Sequence, residues 1–515
     1  MFRKLLCVSA LATILPACGG GSSDVSDVTS HRTVPAPAPA PAPAPAASSD
    51  SVPASAPADQ GSLDGGANAT STTPGSCRSL AAFPTKPSTA KVVTSFGVSP
   101  SDTKDQAAAI QAALDALKPG DWLVFPAGKY LHSKSLRVRV PDVTIWSEGA
   151  TMVATNPLDT AMMMQADNTG LYGFRMHTAT TTRGSALQHA RIVIAPNGNT
   201  SGPRVKNVTV RRNIVENAGE PGTTYANGSS ASGIFVYHAD TFLVAENTIK
   251  RTLADAIHMT GGSLNGRVIK NVVRENGDDM IAVVSYMAAR GTDVSSMTSS
   301  MSTLRDQRLN RNIMITDNDV KGQYWGRGIT VVGGENVTIQ HNAISDTTHG
   351  AGVLLARESG YLSFGVKNVI VRNNTIANVQ TGAPVYSAGN HTTWERTGHA
   401  GIEVHSSATS TELADSSFAS AIAIDKVLVE NNAIDNTYAD GIRFGVSSGR
   451  VGPAAAVTNK MSRVGKTALN VLDANASQYS TFCSGNTDDG NPTSSGLCSG
   501  SRPAVSGASL SCGTT

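Results

Sequence analysis

The chain has 515 residues, room for two to four domains or for one repeat array. Its 41 basic and 39 acidic residues nearly cancel (net +2), which excludes a global field suited to nucleic acid or an anionic membrane surface. Charged residues at 16%, aromatics at 5% and 49 glycines exclude a helical bundle and fit many short strands joined by tight turns.

Arg3 and Lys4 precede an apolar run over residues 5–15, too short to span a bilayer as a mature helix. The run ends in Leu15-Pro16-Ala17-Cys18, which resembles the lipobox of bacterial lipoproteins. The resemblance implies a signal peptide over residues 1–17 and lipid on Cys18, the chain's expected link to a membrane; an ordinary cleaved signal is the alternative. Gly19 and Gly20 lack the aspartate that retains some lipoproteins in the inner membrane. The expected location is therefore the outer membrane, lipid-anchored, facing periplasm or cell surface. Residues 18–76 read as a tether rich in Pro, Ala, Gly and Ser. Its alternating run from Pro35-Ala36 to Pro45-Ala46 favours extended polyproline II, at ~3.1 Å per residue. Setting Cys7 and Cys18 aside leaves Cys77, Cys483, Cys498 and Cys512, which allow three pairings. Cys483–Cys498 is expected as a local clip and Cys77–Cys512 as a link across the ends, both permitted outside the cytoplasm. No CxxC or Cys/His spacing suggests zinc.

A folded domain is expected over residues 77–482, followed by a cysteine-containing tail over 483–515. Ser101-Asp102-Thr103 can cap a helix running to about Leu117, with Ile110, Leu114 and Leu117 on one face. Gly120-Asp121 then turns into a strand, Trp122 to Phe125, and on into Pro126-Ala127-Gly128-Lys129-Tyr130. This run resembles the entrance of the pectate-lyase-like right-handed parallel β-helix superfamily, where a short helix plugs the open end of the solenoid. A plug is expected physically, because the terminal rung would otherwise expose apolar core and unpaired strand edges. The expected fold is all-β, a single-stranded right-handed parallel β-helix with an N-terminal capping α-helix.

Asn-x-apolar triplets begin at Asn213, Asn247, Asn271, Asn318, Asn342, Asn374 and Asn432. Two of the intervals are 24 residues and the others longer, read as one rung plus inserted loops. Stacked asparagines at turns can hydrogen-bond along the axis and tolerate left-handed backbone, so these residues are structural. The continuous apolar content of residues 208–210 and 366–371 fits parallel strands.

Aligning strands on Ile234, Ile257, Ile281, Ile329, Val353, Ile402 and Ile442 defines a column two residues earlier. It reads Ser232, Asp255, Asp279, Arg327, Ala351, Ala400, Asp440. Rung stacking at ~4.8 Å would bring Asp255, Asp278, Asp279 and Arg327 together on one face. The 48 residues from Asp279 to Arg327 are taken as one rung, because residues 287–312 are rich in Ser and Met and lack a strand pattern. That insert would hang over the site.

Asp255, Gly277-Asp278-Asp279 and Gly326-Arg327-Gly328 stand in the order of the polygalacturonase-type glycoside hydrolases of this superfamily. Those enzymes carry Asn-Thr-Asp-Gly, Gly-Asp-Asp, Gly-His-Gly and Arg-Ile-Lys. Gly-Asp-Asp matches in full, Arg327 replaces the histidine, and Ala356-Arg357-Glu358 offers only an arginine for the last motif. This resemblance implies hydrolysis of an acidic polysaccharide without a cofactor; taken with the lipobox, the expectation is a surface or periplasmic lipoprotein with that activity. Asp279 would be the acid, and Asp255 and Asp278 would activate water. Arg327 and Arg357 would pin a sugar carboxylate, and Tyr324 and Trp325 would give a ring a stacking face. His258, one residue past Ile257, would point outward beside the carboxylates, as a substrate contact or as solvated surface.

Two other readings stay open. In a polysaccharide lyase the three aspartates would hold calcium, a hard cation suited to oxygen ligands, although arginine is a poor base. In a non-catalytic solenoid that binds glycan or serves as structure, Asp before Gly or Ala is turn grammar, as at Asp440-Gly441. His399, Glu403 and His405 form a further cluster, with Glu403 and His405 on one strand face. As a metal site it lacks visible further ligands.

Overall fold

The computed structural model describes residues 78–510, apart from 102, 179–185, 198–201, 217–231, 289–291, 293–296, 298, 324–325, 383–395, 473–478, 494–497, 499 and 509. The signal segment, Cys18, the tether, Tyr324, Trp325, Cys77 and Cys512 all lie outside the described residues.

Each coil contributes three short strands. Ile257–Thr260, Leu264–Ile269 and Val272–Asn276 make one turn, and the next begins at Ile281–Val284. The first strand of each turn stacks into an eleven-stranded parallel sheet among the described residues; the other two stack into a larger sheet, also parallel until its last antiparallel pair. The architecture is a parallel β-helix. Ile234, Ile257, Ile281, Ile329, Val353, Ile402 and Ile442 are register partners in succession. All are fully buried, so the period-two alternation of each strand sends this column into the core. Asp279 and Arg327 are one rung apart, because Ile281 pairs directly with Ile329.

Helix α1 (Ala107–Asp115) closes the first coil and buries Ile110 and Leu114 against Leu123, Phe125 and Leu136. It starts later than the sequence suggested. Asp105, not the 101–103 stretch, accepts the Ala107 N–H, and its second duty is to bind Ser133 on the first rungs. Ahead of the helix, the Ser101 and Gln106 N–H groups donate to Lys129 O and Leu131 O, and Asp105 makes an isolated bridge with Leu131.

Asparagines 213, 247, 271, 318, 342, 374, 432, 459 and 486 form a buried ladder, each side-chain amide donating to the next at 2.9–3.0 Å. The left-handed backbone falls on the residue before each one, as at Glu246, Lys270, Asp317 and His341. That kink turns the chain between the two strands each coil gives to the larger sheet and leaves the asparagine side chain free to point along the axis.

The expected boundary after residue 482 falls inside a strand, Tyr479–Ser484, which pairs with Val451–Val457. Cys483 and Cys498 are joined by a disulfide. The insert over residues 287–312 does not place its described part over the carboxylates. Helix α2 (Met301–Arg308) caps on Ser300 and buries Leu304 with Met287, Phe364 and the side chains of a later insert, Phe418 and Ile422. It leaves from the Val284 end of its strand, opposite the Asp279 end, and its own apolar face dictates that docking. The later insert holds two short helices, α3 (Ser410–Ala414) and α4 (Ser416–Ile422).

Candidate active site

Asp255, Asp278 and Asp279 sit where two neighbouring coils enter the eleven-stranded sheet. Backbone bonds between coils fix them: Ala256 N–H donates to Asp279 O and Met280 N–H to Arg327 O, both at 3.0 Å. Two glycines permit the approach. A Cβ on Gly277 would lie 2.4 Å from Leu253 O, and one on Gly326 2.3 Å from Asp278 C and Asp279 N. The Gly-Asp-Asp and Gly-Arg-Gly motifs therefore owe their glycines to close stacking of adjacent coils rather than to unusual torsions.

Carboxylate oxygens from the three aspartates lie within 4.8 Å of one another, and all three residues are buried. Asp255 Oδ1 accepts the Asp279 N–H at 2.9 Å, while Asp255 Oδ2 pairs with His258 Nδ1. Asp279 Oδ1 accepts the Arg327 N–H at 2.7 Å, with Arg327 Nη1 at 3.7 Å. The turn grammar seen at Asp440, whose Oδ1 accepts the Thr467 N–H of the next coil, is thus also present at Asp255 and Asp279. The cluster differs from Asp440 in crowding and in charge. Burial pushes the Asp279 carboxyl well above the usual carboxylate range; Arg327 pulls it down, and Asp278 and Asp255 push it further up.

Two sequence expectations change. Arg357 is fully buried and its guanidinium is taken up inside the fold rather than at the carboxylates. Its guanidinium makes a two-pronged pair with Glu412 of α3 and donates to Ser407 O at 2.6 Å, so it fastens the 410–422 insert to the solenoid. The neighbouring residue faces the other way. Glu358 Oε1 holds Arg327 Nη2 at 2.5 Å, so the acid beside Arg357 joins the site and the arginine does not. Sequence reasoning passed over Glu358; strand alternation was the signal that could have found it. His258 does point outward from its strand, but it is only 3% exposed, and its ring stacks on Phe235 with centroids 4.9 Å apart. It reaches the chemistry through Asp255. In the cluster of His399, Glu403 and His405, Arg443 Nη1 stands 3.6 Å from Glu403, so a cation is already at the carboxylate.

Two family models match the chain, "Right handed beta helix region" over residues 227–420 and "Rhamnogalacturonase A/epimerase, pectate lyase-like" over 91–308. The chain is a right-handed parallel β-helix that resembles the pectate-lyase-like proteins. Among solved structures it is similar to the Agl-KA catalytic domain, at 17% identity and a TM-score of 0.50 over 79% of this chain and 66% of that one. The catalytic unit of a thermostable GH87 alpha-1,3-glucanase from Streptomyces thermodiastaticus strain HF3-3 gives 17%, 0.50, 79% and 70%. A GH87 alpha-1,3-glucanase catalytic domain in complex with nigerose gives 16%, 0.50, 79% and 71%. The chain thus spans about two thirds of the first of these domains. A comparison with curated proteins gave no match.

Proposed function

We propose that this β-helix hydrolyses glycosidic bonds of a polysaccharide, with Asp279 as the proton donor and Asp278 and Asp255 handling the attacking water. The observation that carries the reading is the buried trio of carboxylates in which Asp279 is driven to keep its proton. Glycoside hydrolysis needs one protonated and one ionised carboxyl across the bond, and crowding of like charges is the physical way to separate them. His258 on Asp255 and the main-chain N–H on Asp279 orient the two acids before substrate arrives. Two of the similar glucanase domains were solved with alanine in place of aspartates 24 positions apart, the separation of Asp255 and Asp279.

The charge of the site favours a neutral glycan over the acidic one expected from sequence. Among the described residues, Asp255 pairs with His258, Asp279 and Glu358 share the single guanidinium of Arg327, and Arg357, the other half of the carboxylate clamp, is withdrawn. The donor set also fits calcium poorly. Calcium takes six to eight oxygens, whereas Asp255 and Asp279 already accept main-chain N–H groups and stand against a guanidinium and an imidazole.

Asp279→Asn should lower cleavage by about a thousandfold, the scale of a lost general acid, and leave the thermal melt intact. The assay is reducing-end release from α-1,3-glucan and from uronic-acid polymers, with absorbance of unsaturated sugars read in parallel. Undiminished cleavage by the variant, or chelator-sensitive unsaturated products, sinks the proposal. We also propose that Cys18 carries lipid and moors the enzyme at the outer membrane. Metabolic labelling with a fatty-acid precursor should mark the wild type and not Cys18→Ser; a labelled variant would refute it.

A further inference from the structure

Three coils beyond Asp279, the same sheet carries a second polar cluster. Outward positions pair in register from Ala282 through Thr330 and Leu354 to Glu403, Arg443 and Asn470. At ~4.8 Å per coil the Glu403 strand lies roughly 14 Å along the axis from the Asp279 strand. Between the two lie the Arg327–Glu358 pair and a buried apolar cluster that includes Ala282, Val332, Leu354 and Ala356.

The cluster is built around a buried acid. Glu403 is 3% exposed; its Oε2 accepts from the Ala400 N–H at 3.1 Å and meets His399 Nδ1 at 2.8 Å. Arg443 Nη1 lies 3.6 Å from the same oxygen, and Arg443 Nε donates to Asp440 Oδ2 at 2.6 Å. Asp440 also receives Asn470 Nδ2 at 2.9 Å. His405 Nδ1 stands 4.0 Å from Glu403 Oε1, and its Nε2 meets Ser447 Oγ at 3.1 Å. Burial would raise the Glu403 carboxyl, but His399 and Arg443 outweigh it and hold it at about 2, so the anchor stays ionised. What it anchors is partly at the surface: the His399 and His405 side chains are 30% and 31% exposed.

We infer that His399, His405 and Arg443 form a sugar-binding subsite that grips a neutral glycan chain several residues away from the bond cleaved beside Asp279. The inference rests on the proposed hydrolysis. The chemistry is that of hydroxyl recognition: flat imidazole and guanidinium faces, N–H donors, and carboxylates that cancel the positive charge. Arg443, the standing cation of the cluster, is paired with Asp440 and lies against Glu403, so no unopposed positive charge is left to select an anion. Placement on the same sheet as the acids puts both sites under one extended chain, and multi-residue contact is how binding energy remote from the reacting bond is gathered.

The test is a His399→Ala/His405→Ala double variant, chosen because both rings are part-exposed and removable without opening the core. On α-1,3-glucan the KM should rise about tenfold, the loss of one or two such hydrogen bonds, with kcat within about twofold. In the Asp279→Asn background, calorimetry should show an α-1,3-linked hexasaccharide losing about tenfold in affinity and nigerose losing none. Cleavage with an unshifted KM, or equal losses for the two lengths, overturns the subsite while the proposed reaction stands. Absence of both cleavage and binding removes the reaction and the subsite together.

Discussion

Arg191 is the most demanding side chain in the solenoid. It is fully buried, and its guanidinium meets no carboxylate among the described residues; it donates to the carbonyls of Thr160 and Met152 and to the His132 ring. His132 Nδ1 faces Lys134 O at 2.9 Å, so Nδ1 carries the hydrogen and Nε2 accepts from Arg191 at 3.1 Å. The pair works only with a neutral imidazole. Burial first, then Arg191, pushes His132 down to about 3, and burial lowers Arg191 to about 9. The direction of the stability effect follows from which state binds more protons. Between the ordinary 6.5 and about 3 the unfolded chain takes a proton on His132 that the native chain refuses, so stability falls as pH falls through that window. The slope approaches about 1.4 kcal/mol per pH unit for one such group. His132→Gln keeps an acceptor for Arg191 and removes the titration, so urea stability measured from pH 7 to pH 4 should fall less steeply than in the wild type. Equal slopes would show that His132 does not govern the acid limb.

At the level of strands and helices, the fold was legible because it is repetitive. Each coil restates one message, an apolar residue for the core column and an asparagine for the ladder, so Ile234 through Ile442 and Asn213 through Asn432 could be aligned by eye. A one-residue slip would send the whole column outward, which is why so short a pattern fixes register. Asn459 and Asn486 extend the ladder; Asn459-Lys460-Met461 keeps the Asn-x-apolar pattern and was passed over, whereas Asn486-Thr487-Asp488 departs from it. The candidate site was legible only in part. Backbone spacing predicts which coils are adjacent, and so brings Asp255, Asp278, Asp279 and Arg327 together. It says nothing of where a long side chain turns. Arg357 and Glu358 are consecutive, yet one is buried on Glu412 and the other reaches Arg327, a split decided by the 410–422 insert that supplies the partner. The start of α1 slipped for a related reason: Ser101 and Gln106 give their N–H groups to Lys129 and Leu131 of the first rungs rather than to a helix.

Over the whole molecule, an outward stripe of the larger sheet is as apolar as a core. Met314, Thr338, Ile370, Leu428 and Ala455 are register partners on successive coils, and none is more than 5% exposed. A solenoid of this length would offer that stripe to other molecules were it not covered, since contiguous apolar surface promotes association. Both chain ends supply the cover. From the N-terminal side, Arg78 binds Asp317, Leu80 packs on Leu243 and Ile269, and Phe83 rests on Trp146 with Arg212 stacked above it at 4.0 Å. From the C-terminal side, Arg502 pairs with Glu430, Val505 packs with Ile370 and Leu428, Ala508 donates to Thr338, and Leu510 lies by Met314. The two segments approach each other over neighbouring coils, because Arg267, bonded to Ser79 O, is the register partner of Met314. Ending the chain at residue 499 keeps Cys483 and Cys498 but uncovers the stripe from Met314 to Val457. With ~1.5–3 kcal/mol for each apolar side chain returned to water, the loss over Met314, Ile370, Leu428 and Val457 comes to several kcal/mol. The truncated protein should bind a hydrophobic dye, form larger species in size-exclusion chromatography and melt several degrees lower, while its far-ultraviolet strand signal persists because the coils themselves are complete. A truncated chain that stays monomeric, dye-free and as stable as the full chain would mean that the C-terminal segment is not what keeps this sheet face dry.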